Sequence, residues 1–160
     1  MPQVIDGQFD GQNFRFAIVA ARFNSIFAEQ LVDGAIDTLT RHGVDDASIT
    51  VVRCPGSFEL PQVAARVAEQ LDIDAIVCLG VLIRGATAHF DYIASQAARG
   101  IGSVGTETGL PVTFGVITCD TVEQAVERSG SKAGNKGAEA AEAAIEMVNL
   151  YHTIPQALDD

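Results

Sequence analysis

Four runs of apolar, largely β-branched residues recur along the 160-residue chain, and each is followed by a segment with helical spacing. The runs are Phe14 to Ala21, Ile49 to Cys54, Ala75 to Ile83 and Val112 to Cys119. Runs this uniformly apolar are typical of strands covered on both faces, as in parallel sheets. The short connections therefore predict a single α/β domain, a three-layer αβα arrangement around an open parallel sheet of four strands.

The segments between the strands carry start and stop signals of helices. The first is predicted to end at a C-capping Gly43, and the second has Pro61 in its first turn. Their apolar stripes are Ile26, Leu31, Ala35 and Leu39 in the first and Val63, Val67 and Leu71 in the second. The third is predicted from about Phe90 to Arg99, with Gly100 as its stop, so that the Gly100-Ile101-Gly102 motif ends a helix.

Two more helices are predicted after the fourth strand. Asp120 to Glu123 contain the N-cap and N3 residues of a capping box, which predicts a short helix ending near Ser129. An alanine-rich helix is predicted from about Gly137 to Leu150. The loop between them holds the only lysines of the chain, Lys132 and Lys136. This loop is either a solvated connection or a cationic cluster that meets an anion.

Composition excludes several classes of function. The net charge of −11 argues against non-specific nucleic-acid binding, which needs clustered cations. The three cysteines form no C-x-x-C and lie in apolar runs, so buried free thiols in a reducing compartment are expected. The histidines have no metal-ligand spacing. With neither a signal peptide nor an apolar stretch of roughly 18 residues, a soluble, cytoplasmic protein is expected, with no membrane association and no metal.

The N-terminal segment, Met1 to Gln12, contains Val4, Ile5 and Phe9 and is too apolar for an idle tail. It is expected to form a strand that pairs with the sheet edge of a neighbouring subunit. A tail folded over its own sheet edge is the equally open alternative.

Ligands of open parallel sheets bind beyond the carboxyl ends of the strands, so the residues after each strand are candidates for one site. Those ends carry aromatic rings, an amide, hydroxyls, an acid and a histidine, which suit a flat heterocycle with polar edges. The candidates are Phe23, Asn24, Ser57, Phe58, Glu59, His89 and Phe90. Glu59 begins a helix, so it either complements the helix dipole or accepts hydrogen bonds from a ligand hydroxyl.

The third connection carries an anion-binding pattern. Gly85, Ala86 and Thr87 are small residues leading into a helix, whose backbone N–H groups can face a phosphate. His89 lies in the first helical turn, where the dipole disfavours a permanent positive charge, so it suits proton transfer. A structurally hydrogen-bonded histidine is the alternative, and Arg84 is expected at a surface or interface. No Walker loop, G-x-S-x-G elbow or G-x-G-x-x-G after the first strand is present, which argues against nucleotide and nicotinamide enzymes.

Five stretches taken together resemble the lumazine synthase family, in its order and spacing, from about Phe16 to Leu150. They are Ala21-Arg22-Phe23-Asn24, Pro55-Gly56-Ser57-Phe58-Glu59-Leu60-Pro61, the run from Gly80 to Tyr92, the run from Pro111 to Val116, and the run from Arg128 to Gly137. The resemblance implies a flavodoxin-like fold. It implies a cofactor-free transferase that condenses 5-amino-6-(D-ribitylamino)uracil with 3,4-dihydroxy-2-butanone 4-phosphate, giving 6,7-dimethyl-8-ribityllumazine in the penultimate step of riboflavin biosynthesis.

The resemblance also assigns roles to residues. It implies that Phe23 stacks on the pyrimidinedione ring beside Asn24 and Phe58, and that Ser57 and Glu59 bind the ribityl chain. Backbone groups of Val81, Leu82 and Ile83 line the ring pocket. Phosphate binds at Gly85, Ala86 and Thr87, and His89 transfers protons. A neighbouring subunit contributes three residues: Phe114 over the ring, Arg128 on the phosphate and Lys136 at the ring edge.

The resemblance implies a homopentamer with active sites between subunits. The run from Lys132 to Gly137 has no insertion. In this family that resembles members that assemble twelve pentamers into an icosahedral shell, for which riboflavin synthase is a candidate partner. Val81 and Ala88 depart from a polar residue and a threonine seen in other members. A non-catalytic flavin- or lumazine-binding protein and a mainly shell-forming protein of the same fold are the alternative functions.

Overall fold

The computed structural model describes residues 1–131 and 134–156, and its central feature is a parallel sheet of four strands. The strands are β1 (Phe16–Ala21), β2 (Ile49–Cys54), β3 (Ala75–Ile83) and β4 (Val112–Cys119), in the order β2-β1-β3-β4. Three coincide with the predicted runs, and β1 begins at Phe16 rather than Phe14. Every residue of β1 is buried, because helices cover both faces of this inner strand.

Five helices flank the sheet in the described part of the chain. They are α1 (Ser25–Arg41), α2 (Leu60–Gln70), α3 (His89–Thr108), α4 (Val122–Arg128) and α5 (Lys136–Gln156). Alternate strand residues point to opposite faces: Ile18 and Leu79 pack in the cluster of α1 and α5, whereas Val19 and Cys78 pack in that of α2 and α3. The predicted αβα three-layer fold is confirmed.

Helix α3 is longer than the sequence predicts. It does not stop at Gly100 but continues to Thr108, and Gly109, with φ of 74°, follows its end. A Cβ on Gly100 would lie 2.6 Å from the ring of Pro61, so this glycine permits close packing of α3 on α2. Burial of Ile101 in that interface outweighs the low helix propensity of glycine. The Gly100-Ile101-Gly102 motif therefore lies inside a helix, which corrects the prediction.

Smaller corrections concern helix stripes and ends. Ile26, predicted for the apolar stripe of α1, is 74% exposed, and Leu71 lies just beyond α2 and is 40% exposed. The cap of α4 is one residue later than expected, since Thr121 Oγ1 accepts a hydrogen bond from Gln124 N at 3.2 Å. Helix α5 begins at Lys136 and runs past Leu150 to Gln156. Lys132 and Ala133 of the lysine loop lie outside the described residues.

The N-terminal segment forms no strand over residues 1–15, all of which are described. It lies instead against helices, where Gly11 N donates to His42 O at 2.8 Å and Asn149 Nδ2 donates to Asp10 O at 2.9 Å. Val4 remains 73% exposed. The tail therefore does not fold over its own sheet edge, and pairing with a neighbouring subunit stays a prediction. Within the described residues no helix is long and apolar enough to cross a bilayer.

All three cysteines are free and buried, which confirms the buried free thiols expected from the sequence. Burial raises the pKa of Cys54 to about 11, with a smaller contribution from Glu59, and raises the pKa of Cys78 to about 12. Because both folded values lie above the ordinary thiol pKa of 9.0, ionisation of these thiols does not lower the free energy of unfolding below that pH. The free energy of unfolding falls as pH rises from 9.0 through the folded values, because the thiols then ionise first in the unfolded chain.

We expect the native thiols to resist alkylation, because the thiolate is the reactive form and these thiols are buried and protonated near neutral pH. Iodoacetamide at about pH 8 should label no cysteine in native protein and all three in urea, as counted by intact mass. Fast labelling of the folded protein would contradict this picture of the core.

Candidate active site

The order of the strands places a cleft at the carboxyl end of the sheet. The chain leaves β1 toward β2 on one side and later returns to β3 on the other, so the loops after these strands diverge. A cleft of about 620 Å³ lies between them. Its lining residues are Phe23, Asn24, Gly56, Ser57, Phe58, Glu59, Val81, Leu82, Ile83, Gly85, Thr87, His89, Phe90, Tyr92 and Ile93. The residues proposed from the strand ends therefore line one cleft.

The loop after β1 presents an aromatic ring on a fixed backbone. Phe23 N donates to Pro55 O at 3.1 Å, and Asn24, in the left-handed conformation with φ of 60°, donates from Nδ2 to Val81 O at 2.8 Å. A Cβ on Gly56 would lie 2.5 Å from the Phe23 ring, so only glycine lets the ring pack there. Phe23 is still 67% exposed, which leaves one ring face open to a ligand.

The turn after β2 brings a hydroxyl and an acid beside that ring. Ser57 is buried, and a Cβ on Gly80 of β3 would lie 2.6 Å from its Oγ. Glu59 is half-buried and immediately precedes α2, and a Cβ on Gly56 would lie 3.3 Å from one of its carboxylate oxygens. Glu59 therefore lies both at a helix N-terminus and in the cleft, so its dipole role and a ligand role are compatible.

The loop after β3 supplies the open rim of the cleft. His89 is the first residue of α3 and is exposed, and its backbone N–H donates to Thr87 Oγ1 at 3.4 Å. A Cβ on Gly85 would meet no atom within 4 Å, so the space above this turn is empty. Ala86 is exposed but does not line the cleft, unlike Gly85 and Thr87.

The guanidinium of Arg84 forms ion pairs with two carboxylates and is therefore not available to bind an anion. Its Nε contacts Asp120 at 2.9 Å, its Nη1 contacts Asp91 at 3.0 Å, and its guanidinium lies 4.4 Å from the centre of the Phe90 ring. Hydrogen bonds to Asp120 and then to Asp91 raise the pKa of Arg84. This cluster ties together the carboxyl ends of β3 and β4 and the start of α3.

Three predicted site residues lie away from this cleft. Phe114, on edge strand β4, and Arg128, at the end of α4, line a second cleft of about 440 Å³ with Arg84, Phe90 and Asp120. Arg128 Nη1 donates to Thr118 O at 3.3 Å. Lys136 begins α5 and pairs with Glu139 at 2.9 Å.

The first cleft has lining residues that were not predicted from the sequence. Tyr92 and Ile93 lie three and four positions after His89, which places all three on one face of α3. This helical spacing is the feature of the sequence from which Tyr92 and Ile93 could have been predicted. Gly56 was not predicted as a site residue either. Its role is to leave room for the Phe23 ring, and that contact is visible only in the folded structure.

Comparison with known proteins agrees with the resemblance seen in the five stretches. The family model for 6,7-dimethyl-8-ribityllumazine synthase matches residues 13–152. A curated relative named 6,7-dimethyl-8-ribityllumazine synthase, from Prosthecochloris aestuarii (strain DSM 271 / SK 413), is 53% identical over 152 residues, covering 95% of this chain and 98% of the relative. The chain therefore belongs to the 6,7-dimethyl-8-ribityllumazine synthase family.

Proposed function

We propose that this chain is the transferase that condenses 5-amino-6-(D-ribitylamino)uracil with 3,4-dihydroxy-2-butanone 4-phosphate. The products are 6,7-dimethyl-8-ribityllumazine, inorganic phosphate and two molecules of water. Beyond family membership, the observation that carries the proposal is one cleft that joins an open aromatic face at Phe23, an acid at Glu59 and a histidine beside a small-residue turn. A flat heterocycle, a polyol and a phosphate can be held there together.

Each group of the cleft has a role in binding. The pyrimidinedione ring stacks on Phe23, next to Asn24 and Phe58, and its polar edge meets the backbone of Val81, Leu82 and Ile83. The ribityl chain extends toward Ser57 and Glu59, whose oxygens accept from its hydroxyls. The phosphate lies at the turn of Gly85, Ala86 and Thr87, before the N-terminus of α3.

The chemistry proceeds by proton transfers and loss of an anion. The amine of the uracil attacks the ketone, and loss of the first water gives an imine. Phosphate then leaves, and attack of the second amine on the resulting carbonyl closes the ring with loss of the second water. His89, at the mouth of the cleft, takes and returns the protons. Holding both reactants in register contributes up to about 7–11 kcal/mol. These steps call for no redox cofactor.

The charges of one chain do not complete the phosphate site. Glu59 is acidic, and the guanidinium of Arg84 is already engaged by Asp91 and Asp120. A phosphate at the turn of residues 85–87 therefore needs a further cation. We assign this role to Arg128 of a neighbouring subunit, with Phe114 and Lys136 of that subunit closing the site in a homopentamer.

The larger assembly is part of the same proposal. The short lysine loop fits a shell of twelve pentamers, with riboflavin synthase as a candidate guest. The exposed side chain of Val4 supports pairing of the N-terminal segment, as a strand, with a neighbouring subunit. The single domain works in the cytoplasm, where three reduced thiols persist.

Mixing the two substrates with purified protein tests the activity. We expect the fluorescence of the lumazine product to grow with protein concentration and phosphate to be released in equal amount. Ligand binding without product would favour the flavin- or lumazine-binding alternative, and a shell-sized mass without product would favour the shell-forming one.

The stacking role of Phe23 predicts a substrate-selective defect. Phe23→Leu keeps an apolar side chain but removes the ring face, so KM for the ribitylaminouracil should rise by about three- to tenfold. KM for the ketone phosphate should be unchanged in steady-state assays. Leu71→Ala, at an exposed position beyond α2, is the control. An equal rise in both KM values would contradict stacking at Phe23.

A further inference from the structure

The segment between α4 and α5 begins and ends at the two cations assigned above to the neighbouring site. Arg128 is the last residue of α4, and Lys136 is the first of α5. Between them, β5 (Ser129–Ser131) and β6 (Gly134–Asn135) form an antiparallel hairpin. The orientation of this hairpin therefore sets the position of both cations. The inference below rests on the proposed function.

Asn135 binds three elements at once through its side-chain amide. Its Oδ1 accepts from Gly137 N at 2.8 Å and from Ala138 N at 3.0 Å, which caps α5. Its Nδ2 donates to Gln30 O of α1 at 3.0 Å and to Ser129 O of β5 at 3.4 Å. Two N–H groups and two carbonyls surround the amide, so the side chain must offer both an acceptor and a donor. A carboxylate could accept from the two N–H groups but could not donate to the two carbonyls.

The hydrogen bonds of Asn135 lie in close contact with α1. A Cβ on Gly34 would lie 2.5 Å from Cγ of Asn135, and a Cβ on Gly137 would lie 2.0 Å from Leu31 O. Both glycines are therefore needed for the hairpin and the start of α5 to reach α1. Ser129, 1% exposed, adds a hydrogen bond from Oγ to Gln30 Oε1 at 2.9 Å.

We infer that Asn135 is a positioning residue for the reaction: it locks the hairpin on α1 so that Arg128 and Lys136 meet the phosphate and ring of the neighbouring site in one fixed geometry. Asn135 does not line the first cleft, so it is not assigned a contact with either substrate. Small displacements of binding groups are costly to catalysis, because binding energy is realised only in the correct geometry.

Asn135→Asp separates the positioning role from the capping role. The carboxylate still caps α5 but presents an acceptor to the carbonyls of Gln30 and Ser129, so the lock on α1 is lost. We expect KM for the ketone phosphate to rise about tenfold, with KM for the ribitylaminouracil changing less. Asn149→Asp is the matched control, because Asn149 is also an α5 amide that donates to two carbonyls, those of Asp10 and Ile145.

Gly34→Ala provides a second variant should Asn135→Asp not fold. It displaces Asn135 sterically without changing its chemistry, and alanine favours the helix. The same rise in KM for the ketone phosphate is expected.

A double-mutant cycle distinguishes positioning from general destabilisation. If Asn135 acts through the two cations, Asn135→Asp should have no further effect on kcat/KM in a chain that already carries Arg128→Ala and Lys136→Ala. An equal effect in both backgrounds would overturn the inference, as would wild-type kinetics of both Asn135→Asp and Gly34→Ala. Failure of the wild-type chain to make lumazine would instead overturn the proposed function.

Discussion

Replacement of His89 by alanine is expected to lower kcat by about a hundredfold, with both KM values nearly unchanged. His89 lies at the first position of α3, in the cleft and beside Thr87, where it can exchange protons during imine formation and ring closure. The expected loss is at the low end for general acid–base catalysis, because water can carry part of the proton transfer while the variant still holds both substrates together.

Steady-state assays that follow lumazine absorbance would measure this change. His152→Ala is the matched control, since His152 is an exposed histidine of α5 that contacts the Phe14 ring, with 5.2 Å between ring centroids. Because His89 is also exposed, its truncation should leave the melting temperature and the assembled mass unchanged. A His89→Ala enzyme with normal turnover would remove His89 from the mechanism.

The inner strands β1 and β3 were predictable because burial on both faces leaves a uniform apolar signal. The length of α3 was not, since Gly100 weakens a helix locally, and only its contact with Pro61 shows why the helix continues. The length of α3 therefore depends on packing between elements that are distant in sequence. Ile26 also differs from its prediction, since its helical spacing fits the stripe although its side chain is exposed.

The site was predictable as far as topology sets it. Parallel strands bring their carboxyl ends together, so Phe23, Glu59 and His89 could be grouped without coordinates. Partners chosen by side-chain geometry could not be predicted: Arg84 is matched by Asp120, 36 residues away, and Asn135 bonds to Gln30, 105 residues away. The separation of Arg128 from the first cleft agrees with the resemblance, which assigns Arg128 to a neighbouring subunit, but no spacing in the sequence indicates it.

The proposed site between subunits predicts a large loss of activity when a single guanidinium is removed. Arg128→Ala should lower kcat/KM for the ketone phosphate by roughly a hundredfold, because a hydrogen bond to a charged group contributes about 1.5–3 kcal/mol. The binding of ribitylaminouracil, measured by fluorescence titration, should change little. Arg66→Ala, at an exposed arginine of α2, controls for the loss of one positive charge. Normal kinetics of Arg128→Ala would place the phosphate elsewhere.

Mixed assemblies then decide which subunit supplies that guanidinium. Subunits with His89→Ala and subunits with Arg128→Ala are each nearly inactive alone, but co-expressed in equal amounts they should recover about a quarter of wild-type activity. The reason is combinatorial: a site is intact when its own chain keeps His89 and its neighbour keeps Arg128, and each condition holds for half of the subunits. If both groups came from one chain, every site would lack one of them and mixing would restore nothing. Full wild-type activity in a monomer, by light scattering under assay conditions, would equally contradict a site built from two subunits.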